Sequence, residues 1–164
     1  MVTIDKIKQL REETGISISE CKKALEGAKG NTEKAKEILR KWGKDLAKKK
    51  IEKETGQGII ESYIHPGKRI GVMIELRCQS DFVAKSEEFQ KLAHELCLQI
   101  AAISPEEIPL GDEDKSSSSP FAVARVLEQP WIRDESETVK DLLNEYIAKI
   151  GENIIIKRFL RYEI

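Results

Sequence analysis

Histidine, cysteine and aromatic side chains are scarce in this chain. Two histidines and three cysteines occur in 164 residues, and aromatics make up 5%. Cys21, Cys78 and Cys97 are odd in number and include no Cys-x-x-Cys pair, so neither a disulfide framework nor a zinc site is indicated. His94-Glu95-Leu96-Cys97-Leu98 starts like a zinc-protease helix but lacks the second histidine, and it reads as ordinary helix surface. Asp112-Glu113-Asp114 lacks the ligand spacing and glycine of a calcium loop. No metal ligand set and no cofactor are therefore expected. No apolar run approaches the ~20 residues needed to cross a bilayer. The start of the chain, Met1-Val2-Thr3-Ile4-Asp5-Lys6, lacks the apolar core of a signal peptide. No membrane partner is expected, and a cytoplasmic location is.

What is present is charge: 35% of residues are Asp, Glu, Lys or Arg, with a net charge of −1. The balance hides an asymmetry. Residues 1–53 hold 15 Lys/Arg against 9 Asp/Glu, and residues 54–164 hold 13 against 20. A basic head on an acidic body points to two units with different contact surfaces, although a lysine-rich helical surface is often just a solvated face.

The head reads as three short helices. Ile4, Ile7 and Leu10 share a face of the first, from about Thr3 to Thr14, and Gly15 stops it. Ser17-Ile18-Ser19-Glu20 is a capping box opening the second helix, which buries Cys21, Ala24, Leu25 and Ala28 and ends near Gly30. Asn31 or Thr32 caps the third, where Ala35, Ile38, Leu39 and Trp42 recur at core spacing. Residues 1–53 thus make a small core, marginal but able to fold alone.

Thr55-Gly56-Gln57-Gly58 reads as a hinge. Strands are expected over Ile59 to Ile64 and Ile70 to Leu76, the second apolar enough to be central. A His65-Pro66-Gly67-Lys68 turn joins them, its Pro and Gly supplying the backbone angles. Ser86 caps a helix with Glu87 and Glu88 in its first turn and Phe89, Leu92, Ala93, Leu96, Ile100 and Ala101 as its buried stripe; Pro105 lies beyond its end. Residues 111–120 read as a flexible loop. After a short stretch around Phe121 to Leu127 comes a last helix with Val139, Leu142, Leu143, Tyr146, Ile147 and Ile150 in phase. Gly151 ends it, and a strand runs from Ile154 to Tyr162. The body, 54–164, is thus a small antiparallel sheet packed with helices on one side, and the fold class is α+β.

No active-site constellation emerges. There is no Gly-x-x-x-x-Gly-Lys-Ser/Thr loop, so the chain is not itself a P-loop GTPase. Glu87, Glu88, Glu106 and Glu107 suit helix starts better than a general acid–base pair. An enzyme is not expected, and no catalytic residue is assigned. Nucleic-acid binding would call for aromatics interleaved with the basic residues of the head. Only Trp42 is aromatic there, and its spacing assigns it to the core. No direct nucleic-acid partner is expected, although an adaptor for nucleic acid or ubiquitin, using the basic head, is the alternative function.

The decisive stretch is Cys78-Gln79-Ser80-Asp81-Phe82-Val83-Ala84. It sets a carboxylate beside an aromatic between a strand and a helix. Its ordinary reading is a helix cap at Asp81 with Phe82 packed inward. Two further segments reverse that reading. Leu10-Arg11-Glu12-Glu13-Thr14-Gly15, continuing to Cys21-Lys22-Lys23-Ala24-Leu25, is the first; Ala148-Lys149-Ile150-Gly151-Glu152-Asn153-Ile154 is the second. Together the three resemble the elongation factor Ts family, in the family's order and over most of the chain, in a short form with one core subdomain. The resemblance implies a head similar to ubiquitin-associated domains. It implies guanine-nucleotide exchange on the GTPase elongation factor Tu during translation elongation, a step of protein biosynthesis. Asp81 and Phe82, with Val83, would enter the GTPase near its magnesium site, and Arg11, Ile18, Ser19 and Lys22 would grip one of its helices. Short members are expected to pair as homodimers. Three departures stand out: Ser80 in place of threonine, the Ile16-Ser17-Ile18-Ser19 turn, and only the loop at 111–120 and a short stretch where the family carries a helical segment between its two core helices. No cysteine follows Cys97, so no disulfide near the last strand could hold a pair.

Overall fold

The computed structural model describes residues 1–105 and 120–164. The chain divides into two compact units. Met1–Glu52 with Asn144–Glu152 forms the first, and Lys53–Leu143 with Asn153–Ile164 forms the second.

In the first unit, helices α1 (Ile4–Thr14), α2 (Ile18–Gly27) and α3 (Thr32–Lys50) follow their caps. Thr3, Ser17 and Asn31 each accept a backbone N–H from the first turn, satisfying donors a helix start leaves open. The hydroxyl of Ser17 also donates to the Glu20 carboxylate at 2.8 Å, so the glutamate reaches back to the side chain of the cap. Gly15, with φ 67°, turns the chain out of α1 in the left-handed region that favours glycine. Leu10, Cys21, Ala24, Leu25, Ala28, Ala35 and Leu39 form the core, and Val2, Ile7, Ile16 and Ile38 pack against it. Trp42 does not join them. Its spacing suggested a core residue, but it lies at the margin of the buried stripe of α3 and is 40% exposed. Gly43 is the buried residue there: a Cβ on it would stand 3.2 Å from the Cβ of Ala148, so the missing side chain admits the segment Asn144–Glu152. Arg40 pairs with Glu145 on the same contact.

In the second unit, β1 (Gln57–Ile64), β2 (Ile70–Cys78) and β5 (Ile155–Glu163) form an antiparallel sheet in the order β1-β2-β5, so β2 is central as its apolar run suggested. Gln57 and Gly58 belong to β1 rather than to a hinge. In the turn between β1 and β2 the left-handed residue is Lys68, φ 56°, not Gly67; the turn also carries the bond from Lys68 N–H to His65 O at 2.7 Å. Helix α5 (Glu87–Ala102) packs on one sheet face. The stripe expected of it is buried, from Phe89 to Ala101. Beneath it lie Val72, Ile74, Leu76, Ile156 and Phe159, the last two both turned inward by a register shift between Glu75 and Leu76. The fold class is α+β, as expected.

After α6 (Pro120–Glu128) comes a ribbon, β3 (Pro130–Trp131) and β4 (Asp134–Thr138), that the sequence reading missed. The short stretch around Phe121 to Leu127 is helical, and Pro120 opens it; the rest of the loop expected at 111–120 lies outside the described residues. Buried Gln99 holds the ribbon: its Nε2 donates to Gln129 Oε1 at 3.2 Å and to Pro130 O at 3.1 Å, and its Oε1 accepts from Ile132 N–H at 2.9 Å. Helix α7 (Val139–Ile150) is capped reciprocally by Thr138 and Asp141. Its residues fall in both units, Val139–Leu143 in the second and Asn144–Ile150 in the first. Gly151, φ 83°, follows its end.

All three cysteines are buried thiols outside any disulfide, and burial pushes the Cys97 thiol up to about 12. Among the described residues no cluster of metal-ligating side chains occurs, and no helix is long and apolar enough to cross a membrane.

Candidate functional site

The strand–helix junction after β2 is built by local hydrogen bonds. Ser80 has extended backbone, and its Oγ accepts from Val83 N–H at 3.3 Å, making Ser80 the cap of the single turn α4 (Asp81–Ala84). The cap expected at Asp81 is thus one residue earlier, and serine serves where threonine was the expected residue, since either hydroxyl can accept this bond. Lys85 N–H donates to Asp81 O, and Ser86 Oγ donates to Val83 O at 2.7 Å, so the turn runs directly into the cap of α5. The thiol of Cys78 donates to Ser80 O at 3.2 Å.

This turn sorts its side chains sharply. Val83 is 8% exposed and Ala84 is also buried, so they anchor the turn on the core. Phe82 is 83% exposed. The inward packing of Phe82 that its position first suggested is not what the fold adopts. Asp81 is exposed and pairs with Lys85 at 3.2 Å, an i,i+4 contact of two solvated groups that is worth little and leaves the carboxylate available. Of the three residues assigned to this contact, Asp81 and Phe82 lie on the surface, and Val83 lies beneath them.

A second set lies on the first unit. Ile18, Ser19 and Lys22 open α2 at helical spacing, so one turn of that helix presents all three, each exposed. Ile18 is a large apolar side chain left outside the core at the first position of the helix. Lys22 reaches Glu26 at 3.9 Å, a loose pair. Arg11 is exposed on the last turn of α1, and its carbonyl accepts the N–H of Gly15, the residue that turns the chain toward α2.

The open face of the sheet is a third surface, one that sequence reasoning passed over. The register puts Ile60, Ile64, Met73, Leu160 and Tyr162 together on the side away from α5, and all are exposed. Glu75 sits among them, with Arg77 Nε and Arg158 Nε each 2.6 Å from its carboxylate. Burial alone would raise its pKa, but the hydrogen bonds from Arg158 and Arg77 outweigh that and hold it below the usual value. The signal for this face was present in β1, where Ile59 and Ile60 are adjacent and therefore apolar on both faces.

The family model described as Elongation factor TS matches residues 4–115 and 79–164. The chain belongs to the elongation factor Ts family. It is 41% identical to elongation factor Ts of Thermoanaerobacter sp. (strain X514), covering 99% of this chain and 95% of that protein. It is 44% identical to elongation factor Ts of Thermotoga sp. (strain RQ2), covering 99% and 96%. It is 41% identical to elongation factor Ts of Carboxydothermus hydrogenoformans, covering 100% and 89%. These alignments run over 191 to 194 residues against 164 in the chain, so the Ts relatives hold residues within the matched span that this member lacks. The resemblance drawn from three segments is therefore sound, and the chain is a translation elongation factor of the Ts family.

Proposed function

We propose that the chain is a guanine-nucleotide exchange factor that promotes GDP release from elongation factor Tu. It does so by binding, without catalytic chemistry. A protein that binds the nucleotide-free GTPase better than the loaded one weakens nucleotide binding by the same free energy. No acid–base pair or nucleophile is needed. Asp81 and Phe82 form the wedge that enters near the magnesium and phosphate site, while Val83 fixes the turn from below. The three-helix head, in the manner of ubiquitin-associated modules, grips a helix of the GTPase through Arg11, Ile18, Ser19 and Lys22. The action takes place in the cytoplasm.

The observation that carries this reading is the exposure of Phe82 on a capped turn whose next two residues, Val83 and Ala84, are buried. A phenylalanine so exposed contributes little to its own domain, and aromatic anchors of this kind dominate protein interfaces. Two chains pair through the open sheet face, since five exposed apolar side chains on one face of a three-stranded sheet form a patch that monomers seldom leave uncovered. The direct test is release of labelled GDP from elongation factor Tu, with and without micromolar chain. Release should accelerate, and an unchanged rate would overturn the reading.

A second reading gains one observation. Trp42, 40% exposed, sets one aromatic beside the exposed Lys41 and Lys49 on the same helix, which weakens the argument that kept nucleic acid away from the head. An RNA arm in the same binding experiment, read for salt dependence, separates the two.

A further inference from the structure

Asn153, in the turn that follows α7, is buried although polar. Its backbone N–H donates to Oε1 of Gln79 at 2.7 Å, and its Nδ2 donates to the backbone carbonyl of Lys53 at 3.0 Å. The register explains the first bond. Arg77 pairs with Ile155 at the end of the β2–β5 ladder, so Gln79 and Asn153 stand opposite each other one step past it. There the side chain of Gln79 takes over the pairing that the backbone of β2 gives up as it turns toward Ser80. The second bond, together with that of Arg77 Nη1 to Gly56 O at 3.3 Å, ties in the segment entering β1. Three strand ends are thereby fastened just before the residue that caps the turn bearing Phe82.

We propose that Gln79 and Asn153 are positioning residues for Phe82. They fix the direction in which β2 leaves the sheet, and so the angle at which the aromatic is presented. The inference rests on the exchange reading given above. It assigns a task to the Gly151-Glu152-Asn153 turn, which otherwise makes no contact with the partner in that scheme. Displacing a reacting or wedging group by a small distance costs rate even when the group itself is intact.

The test uses the full chain and measures the maximal rate of labelled-GDP release and the chain concentration giving half of it. Gln79→Met keeps length but removes the acceptor; Gln79→Glu keeps an acceptor oxygen. Gln79→Met should lower the maximal rate roughly fivefold, about what 1 kcal/mol of transition-state stabilisation is worth, with the half-maximal concentration little changed. Gln79→Glu should restore the rate. In a Phe82→Ala background, Gln79→Met should lower exchange no further, because a positioning residue has nothing left to position. A Gln79→Met chain as fast as the parent, or one that loses the same factor with and without Phe82, would overturn the proposal. Asn153→Ser, compared in the same two backgrounds, decides the matter if Gln79→Met does not fold. If Phe82→Ala slows exchange and neither positioning variant does, the wedge stands and this inference alone fails. If the parent chain does not accelerate release at all, both fail.

Discussion

Replacing Phe82 by alanine separates two physical roles in one molecule. A phenylalanine side chain presents roughly 150–250 Å². Phe82 is 83% exposed, so about a sixth of that area, on the order of 35 Å², is covered by its own domain. At ~25 cal/mol per Å² the truncation forfeits about 1 kcal/mol of burial. Alanine returns about half of it through its higher helix propensity in α4. The net cost to stability is on the order of 0.5 kcal/mol, a melting shift of about 1–2 °C for a chain of this size. A buried phenylalanine would instead cost ~3–5 kcal/mol, roughly 10 °C or more. In the exchange complex the exposed four-fifths is available for burial, and interface anchors of this type carry about 2–4 kcal/mol. Exchange should therefore fall roughly 30- to 1,000-fold while melting barely moves. Thermal unfolding and labelled-GDP release on the same preparation read both quantities. A variant that melts 10 °C early with its exchange intact would refute the wedge and the burial arithmetic together.

Two further outcomes follow from the open sheet face. Met73→Glu or Leu160→Glu sets a charge in the centre of the apolar patch and should convert a dimer, seen by sedimentation under reducing conditions, into a monomer; a parent chain that stays monomeric at high concentration refutes the pairing. Glu75 has a folded-state pKa below its unfolded value, so its contribution is present above the unfolded pKa and is lost as pH falls through the folded one. Glu75→Gln should accordingly cost about 0.5–1 kcal/mol at pH 7, given that both arginine partners are partly solvated, and progressively less as pH falls through the folded-state pKa; a cost that does not shrink in acid would show that the ion pairs are not its source.

Local chemistry made much of the fold legible. Thr3, Ser17, Asn31 and Ser86 act where the sequence marks helix starts, because capping depends only on residues three positions away. The stripe of α5 was readable because one whole face of a sixteen-residue helix is buried against a sheet. Trp42 failed for a related reason: it sits at the edge of its stripe, where helical spacing cannot tell a margin from a centre. The ribbon β3–β4 was invisible because its two-residue and five-residue strands are held by the side chain of Gln99, some thirty residues away in sequence. Lys68 took the left-handed position in a turn where Gly67 was available, showing that composition locates a turn without assigning its angles. At the candidate site, the motif indicated Asp81 and Phe82, but only the fold separates them from Val83, since the three are adjacent and differ solely in which way α4 faces.

Helix α7 carries a consequence for how the protein is made. The first compact unit contains Asn144–Glu152, near the end of the chain, along with Met1–Glu52. On a ribosome adding about 5–20 residues each second, the three N-terminal helices emerge long before that segment exists. The space beside Gly43 therefore waits through the synthesis of β1 and β2, and Arg40 waits for Glu145. The head can collapse early around Leu10 and Leu25, but it gains this last helical contact only after Asn144–Ile150 has been made. A stop between Ala102 and Asn144 would release a chain in which the Asp81–Ala84 turn has been made but β5 and the last helical segment of the head have not.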